Sequence, residues 1–376
     1  MSDPQDGAIT PVTSEQVTRI AERGIYASPT SLDPAAVNVA QALLATLSGT
    51  ADGPLLTPDL QQLTEQVQQA ATIGFPRIVD FDGVRLSAHT IKLNGSESRP
   101  LVIVPSAWTP LGWPLFEYTY LRLAARGYHV LAYTPRGIGA TASMQGGGYI
   151  DGPFTSGGTI DVAGPMDWSD GSTVIDYAEQ HFNPSRIAFL GESYGSAISQ
   201  LVAAHDPGDR VNAVVALNAW GDLSAGAGLG NDEHSAAVSA LIGLAGGPAE
   251  RKFDEDTQLL IADLQTGRNL EVVTEWATER TPSSYIESTN TRGIPTFLSN
   301  RNEALFLAAQ ITKYFSDLTV PKRLRLRSGD HPAPEATGLT VPFSGSNPPV
   351  DEAFDWLDHH LLGTKNDVPN WSETSK

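Results

Sequence analysis

The chain has no cysteine in its 376 residues. Disulfides, thiolate zinc sites, cysteine nucleophiles and cysteine-ligated iron–sulfur clusters are therefore excluded. The absence suits an oxidising and a reducing compartment equally. Long apolar runs are also missing, and none approaches the roughly 20 residues that span a bilayer. The start, Met1-Ser2-Asp3-Pro4-Gln5-Asp6, lacks the basic and apolar regions of a secretory leader. A soluble cytoplasmic protein is the expectation. Basic charge is scarce: 24 Lys and Arg, only six of them Lys, face 43 Asp and Glu, for a formal charge of −19. Phosphate backbones and anionic membranes repel such a surface, so neither is an expected partner.

What is present suits a sizeable core. With 40% apolar residues and seven Trp, a chain this long can bury roughly three quarters of its unfolded surface. Its length bounds it to one large or two ordinary domains. The 35 Gly and 26 Pro make it rich in turns but neither collagenous nor disordered. Residues 1–72 read as a helical N-terminal extension. Pro34 precedes Ala35, Val37, Val39, Ala40, Leu43 and Leu44, and Pro58 opens Leu60, Leu63, Val67 and Ala70. That spacing is helical, and Pro suits a first turn. These helices are expected to pack on the main domain; the alternative is a dimerisation arm, with a homodimer as the assembly.

Past residue 75 the period changes. Residues 77–81 and 84–91 alternate around Asp82-Gly83 and read as a hairpin. Short apolar strands then alternate with helices: strands near 101–104, 129–133, 186–190, 211–217, 295–298 and 323–326, and helices near 114–126, 168–181, 194–205, 304–317 and 350–361. Apolar strands with intervening helices predict a mostly parallel sheet covered on both faces. Residues 222–290 break the rhythm with helical segments at 235–245, 253–265 and 269–279. A helical insertion at a strand's C-terminal end lies over the ligand crevice of an open α/β sheet, which predicts a cap or lid. The core then comprises 73–221 and 291–376.

The strongest chemical signal is Gly191-Glu192-Ser193-Tyr194-Gly195. It follows a predicted strand and opens a predicted helix, the context of a nucleophile elbow. The glycines let the turn pass close to its neighbours, Ser193 is lifted clear, and the Tyr194 N–H points at a developing oxyanion. A serine needs a general base, which in such folds follows the last strand, with an acid on the loop before it. His331, in Ser328-Gly329-Asp330-His331-Pro332, has the base's position, and Glu303 has the acid's, with Asp222 and Asp330 in reserve. His89, His129, His181 and His205 lie on strands or helices, His234 in the lid, and His359-His360 on the final helix, where solvated or core roles are expected. The second oxyanion donor is expected to be the N–H of Ala107 or Trp108, on the loop after 101–104; the alternative for Trp108 and Trp113 is to line the pocket or the core. Gly137-Ile138-Gly139 and Gly146-Gly147-Gly148 lack the GxGxxG phrase and acidic partner of a dinucleotide site and read as a Gly-rich loop. No metal-ligand spacing stands out, so neither cofactor nor metal is expected.

Together with the elbow, Tyr133-Thr-Pro-Arg136-Gly137, Ile160-Asp-Val-Ala-Gly-Pro165, Pro321-Lys-Arg-Leu324 and Gly329-Asp-His331 resemble the X-prolyl dipeptidyl aminopeptidase and cocaine-esterase-like acyl hydrolases. The resemblance covers about residues 100–362. It implies the α/β-hydrolase fold and a Ser, His and acid triad, carried here by Ser193, His331 and Glu303. Four departures stand out. Glu replaces the usual Asp at 303, Ser196 occupies a position that is often Gly, and residues 138–156 look inserted. Only 45 residues follow His331, too few for the C-terminal β-sandwich of many relatives, which weighs against dipeptidyl-peptidase specificity. The expected function is a serine hydrolase acting on a small-molecule ester or amide through an acyl-enzyme. The alternatives are an X-prolyl-type peptidase or amidase, and a non-catalytic binding protein on a hydrolase fold.

Overall fold

The computed structural model describes residues 9–28, 31–139, 141–143, 149–224, 252–301, 306, 308–327, 333–343 and 347–375. Two short strands, β1 (Tyr26–Ser28) and β2 (Ser31–Leu32), pair antiparallel near the N-terminus, and at the centre is a ten-stranded sheet. Strands β3 (Ala71–Gly74), β4 (Arg77–Val79) and β5 (Arg85–Leu93) are antiparallel at one edge. From there β7 (His129–Tyr133), β6 (Leu101–Pro105), β10 (Ile187–Glu192), β11 (Val211–Leu217), β12 (Thr296–Arg301), β13 (Lys322–Arg327) and β14 (Thr374–Ser375) run parallel. The central strands β6, β7 and β10 are buried throughout, as their unbroken apolar runs imply. Chain order reverses between β6 and β10, the point at which an open α/β sheet binds its ligands.

Helices cover both faces. On one lie α1 (Ser14–Arg23), α2 (Pro34–Leu47), α3 (Pro58–Ala70), α4 (Glu117–Ala125) and the helices Glu335–Thr340 and Pro348–Leu357, in a single apolar core. Helix α2 starts with Asp33 accepting from the Ala35 N–H at 2.8 Å and Pro34 in its first turn. It then buries Ala36, Val39, Leu43 and Leu47. Helix α1 opens on a reciprocal capping box between Thr13 and Gln16, a phrase the apolar spacing alone does not reveal. The second face carries α5 (Pro165–Phe182), α6 (Tyr194–His205) and the helix Ala308–Asp317.

Two expectations change in detail. The Gly-rich loop contains a two-stranded hairpin, β8 (Thr141–Ser143) with β9 (Tyr149–Asp151). The final helix stops at Leu357 and continues as a wider π-turn over Asp358–Leu362. Of the helices expected between β11 and β12, Glu255–Thr266 and Leu270–Glu279 form, whereas 235–245 lies outside the described residues. Among the described residues no helix is long and apolar enough to cross a membrane.

One buried cation ties the first hairpin to the second face. Arg136, 4% exposed, forks onto both Asp170 oxygens at 2.6 and 2.8 Å and reaches Asp82 at 3.1 Å and Asp80 at 3.3 Å. One guanidinium thus faces three carboxylates. Burial pushes the Asp170 carboxyl up to about 9, Arg136 pulls against it, and Asp80 adds to the rise. Removing the cation leaves buried carboxylates without their partner. Arg136→Ala is therefore expected to lose about 3–5 kcal/mol in urea unfolding, while the exposed Lys313–Asp317 pair can be broken by Lys313→Ala with no shift of midpoint.

Candidate active site

The site is built on the turn from β10 into α6. Ser193 has φ 54° and ψ −116°, a conformation that costs a non-glycine residue free energy and persists only where the surroundings enforce it. They do so here through close backbone packing. A β-carbon at Gly191 would stand 2.0 Å from the Gly195 carbonyl oxygen, and one at Gly195 would stand 2.3 Å from that of Pro105. The Ser193 N–H donates to Leu217 on β11 at 2.9 Å. Its carbonyl accepts from the Ser196 N–H at 3.0 Å and the Ser196 hydroxyl at 2.6 Å. The serine that departs from the family pattern therefore braces the elbow. Tyr194 opens α6, where the first N–H groups have no intrahelical acceptor and carry partial positive charge.

The ends of the neighbouring strands β6 and β11 flank the elbow. After β6 come Ala107 and Trp108, 3% and 7% exposed. The Trp108 ring meets Tyr194 edge-on, with centroids 5.1 Å apart, and stacks on Phe253 at 6.0 Å. After β11, Asn218 donates to the buried Glu192 carboxylate at 3.2 Å, and Trp220 lies 4.8 Å from Phe306. Trp113 is core instead: its indole N–H donates to Ser87 Oγ at 3.1 Å, and it stacks on His89.

Glu303, His331 and the reserve Asp330 lie outside the described residues, but their flanks are joined. β12 ends at Arg301 and β13 at Arg327, paired in register. The fully buried Arg301 guanidinium donates to the Ala333 carbonyl and to Glu335. One arginine thus links the chain two residues before Glu303 to the chain two residues after His331. The other reserve, Asp222, follows β11 and accepts from Ser224 Oγ at 2.6 Å.

The remaining described histidines serve the core or the surface. His89 sits 3.3 Å from Glu117, both side chains fully buried. His129 accepts from the Leu93 N–H at 3.1 Å, and burial holds its imidazole down at about 4. His181 stacks on Tyr177. His205 packs against Trp168 and Tyr285. His360 lies 4.3 Å from Trp356 and 4.8 Å from His359. His234 lies outside the described residues. Among the described residues no group of three or more His, Asp or Glu is placed to hold a metal ion.

The structure adds residues that sequence reasoning did not single out. The Tyr194 hydroxyl donates to Asp167 Oδ2 at 2.5 Å, and the Ala163 N–H donates to the same oxygen at 2.8 Å. Burial, reinforced by the Asp161 carboxylate, pushes Asp167 up to about 7. Asp161 pairs with Arg280, which lies just past the helix Leu270–Glu279, at 3.0 Å. Lys252 donates to the Gly137 and Gly139 carbonyls at 3.0 and 3.3 Å. Apart from the local Ala163–Asp167 bond, the partners in these contacts lie 27 to 119 residues apart, so no sequence motif announces them.

Residues 82–333, about two thirds of the chain, match the model of the X-Pro dipeptidyl-peptidase (S15) family. No curated protein sequence matches. Among solved structures, the chain is similar to a CocE/NonD family hydrolase from Staphylococcus aureus (TM-score 0.57, 12% identity, 81% of this chain and 53% of that one). It is also similar to an acylaminoacyl peptidase from Pyrococcus horikoshii (0.54, 14%, 83% and 45%). A puromycin-hydrolyzing peptidase from Mycobacterium tuberculosis resembles it as well (0.53, 16%, 77% and 39%). The chain thus spans about half the length of these proteins or less.

The neutral core histidine generates a pH dependence. Between pH 6.5 and about 4 the unfolded chain binds a proton at His129 that the native protein refuses, so stability falls as pH falls. In urea unfolding at pH 6.5 and 4.5, wild type should lose more stability than His129→Asn, by up to one proton's worth of slope. Equal slopes would show that His129 takes up its proton in the native state.

Proposed function

Because the chain belongs to the X-Pro dipeptidyl-peptidase (S15) family of α/β-hydrolases, we propose that it is a serine hydrolase acting on a small or medium acyl substrate through an acyl-enzyme. The observation that carries this reading is the Ser193 backbone, bent to φ 54° between β10 and α6 at the switch point of the sheet. In this proposal residues 73–221 and 291–376 form the catalytic core, 1–72 an extension on its face and 222–290 a lid.

Ser193 attacks the carbonyl carbon while His331 removes the hydroxyl proton, and Glu303 holds the imidazole's tautomer and stabilises its charged form. The oxyanion is held by the Tyr194 N–H at the head of α6 and by the N–H of Ala107 or Trp108. His331 then protonates the leaving group, and water activated by His331 releases the acid. The Arg301 link to Ala333 and Glu335 supports the pairing of Glu303 with His331, since it draws the two loops together. The aromatic pairs Trp108–Phe253 and Trp220–Phe306, after β6 and β11, favour an uncharged, largely apolar group beside the reacting carbonyl.

Amide cleavage is the second reading, favoured by the family to which the chain belongs. Paired assays with p-nitrophenyl esters and aminoacyl p-nitroanilides separate the two. A fluorophosphonate should label wild type and leave Ser193→Ala unlabelled; equal labelling would sink the hydrolase reading. Turnover should fall by at least about 10³-fold in His331→Ala and by about 10²–10⁴-fold in Glu303→Gln, while His359→Ala stays within about twofold of wild type. Equal losses in the two histidine variants would remove His331 as the base.

A further inference from the structure

The side chain of Tyr194 is buried and ends on the buried Asp167. A phenol that only filled space there would need no oxygen. Two features show that the contact is built. The chain reaches Asp167 through consecutive residues with positive φ, Val162 at 56° and Ala163 at 59°, and this conformation is a marked outlier for a β-branched valine. That kink turns the Ala163 N–H onto the oxygen Tyr194 uses, 2.8 Å away. The other Asp167 oxygen is buried and has no hydrogen-bond partner among the described residues, so Tyr194 and Ala163 supply the carboxyl's anchoring.

The kink is itself pinned from the helical insertion. Arg280, 5% exposed, donates through Nε to the Asp161 carbonyl and through Nη2 to Asp161 Oδ1, both at 3.0 Å. The Ile160 N–H donates to the Lys252 carbonyl at 2.7 Å. Gly164 completes the fit, since a β-carbon there would stand 2.4 Å from Asp161 Oδ2 and 2.6 Å from Arg280 Nη2. The ring of Tyr194 in turn carries the edge of Trp108. Lys252 and Arg280 of the helical insertion therefore both reach the loop that holds Tyr194.

We infer that Asp167 and the Tyr194 phenol are positioning residues for the oxyanion site, and that Arg280, through Asp161, couples the footing of the helical insertion to them. The inference rests on Ser193 being the nucleophile. Tyr194 spans the device: its N–H is the donor proposed for the oxyanion, and its hydroxyl is the anchor that holds the first turn of α6. Releasing the anchor lets that turn tilt, and small misplacements of a donor are costly because its worth lies in being aimed beforehand.

The test is a double-mutant cycle with p-nitrophenyl butyrate turnover and fluorophosphonate labelling rate as readouts, on full-length protein. Tyr194→Phe keeps the ring on Trp108 and removes only the hydroxyl. It and Asp167→Asn should each lower kcat and the labelling rate about tenfold, with KM within about twofold and melting temperature tracked alongside. The double variant should be no slower than the slower single, since both remove one anchor. Multiplying losses, or a Tyr194→Phe protein that turns over like wild type, would overturn the inference. Where Asp167→Asn does not accumulate as folded protein, Arg280→Gln replaces it, with the same sub-multiplicative outcome expected. If wild type itself fails to label, the Ser193 reading fails, and that result is separate from a wild type and Tyr194→Phe that label alike.

Discussion

The structure turns on a place where backbone meets backbone with no room between. The elbow presses Gly195 against the carbonyl of Pro105 and Gly191 against that of Gly195. Nothing larger than hydrogen fits at either position, and between them Ser193 must take a left-handed φ. The same contact locks the head of α6 against the end of β6. The nucleophile candidate and the loop bearing Ala107 and Trp108 are thereby held side by side at the switch point. The strained serine and the placing of the helix terminus are consequences of that one approach.

Around this point the molecule uses buried arginines as clamps between segments remote in sequence. Arg136 joins the first hairpin to α5, Arg280 joins the helical insertion to the loop before α5, and Arg301 joins the loops after β12 and β13. Planar guanidinium groups suit such work, because several donors in fixed directions can satisfy carboxylates and carbonyls together. Each clamp joins segments that flank β10, α6 or the loops after β12 and β13.

The sheet was legible because its strands are short apolar runs bounded by turns, and a parallel strand buried on both faces has little alternative. The elbow was legible because a steric requirement for glycine on either side of a serine leaves a local signature. The capping box of α1, the hairpin within residues 138–156 and the π-turn after Leu357 were not, since each depends on polar contacts or backbone geometry that apolar periodicity does not encode. Asp167 illustrates the deeper limit. In the sequence it is an acidic residue in the first turn of a helix, where a favourable dipole is explanation enough. Only the fold brings a phenol 27 residues away onto its oxygen.

The buried carboxylates have a consequence for the charge inside the molecule. Burial pushes the carboxyls of Asp167 and Asp170 up, toward the neutral form, while Arg136, bound to both Asp170 oxygens, pulls that group back toward the charged one. Folding thus raises the proton affinity of acids held inside the protein, and their charge answers to a pH range in which free aspartates would be indifferent.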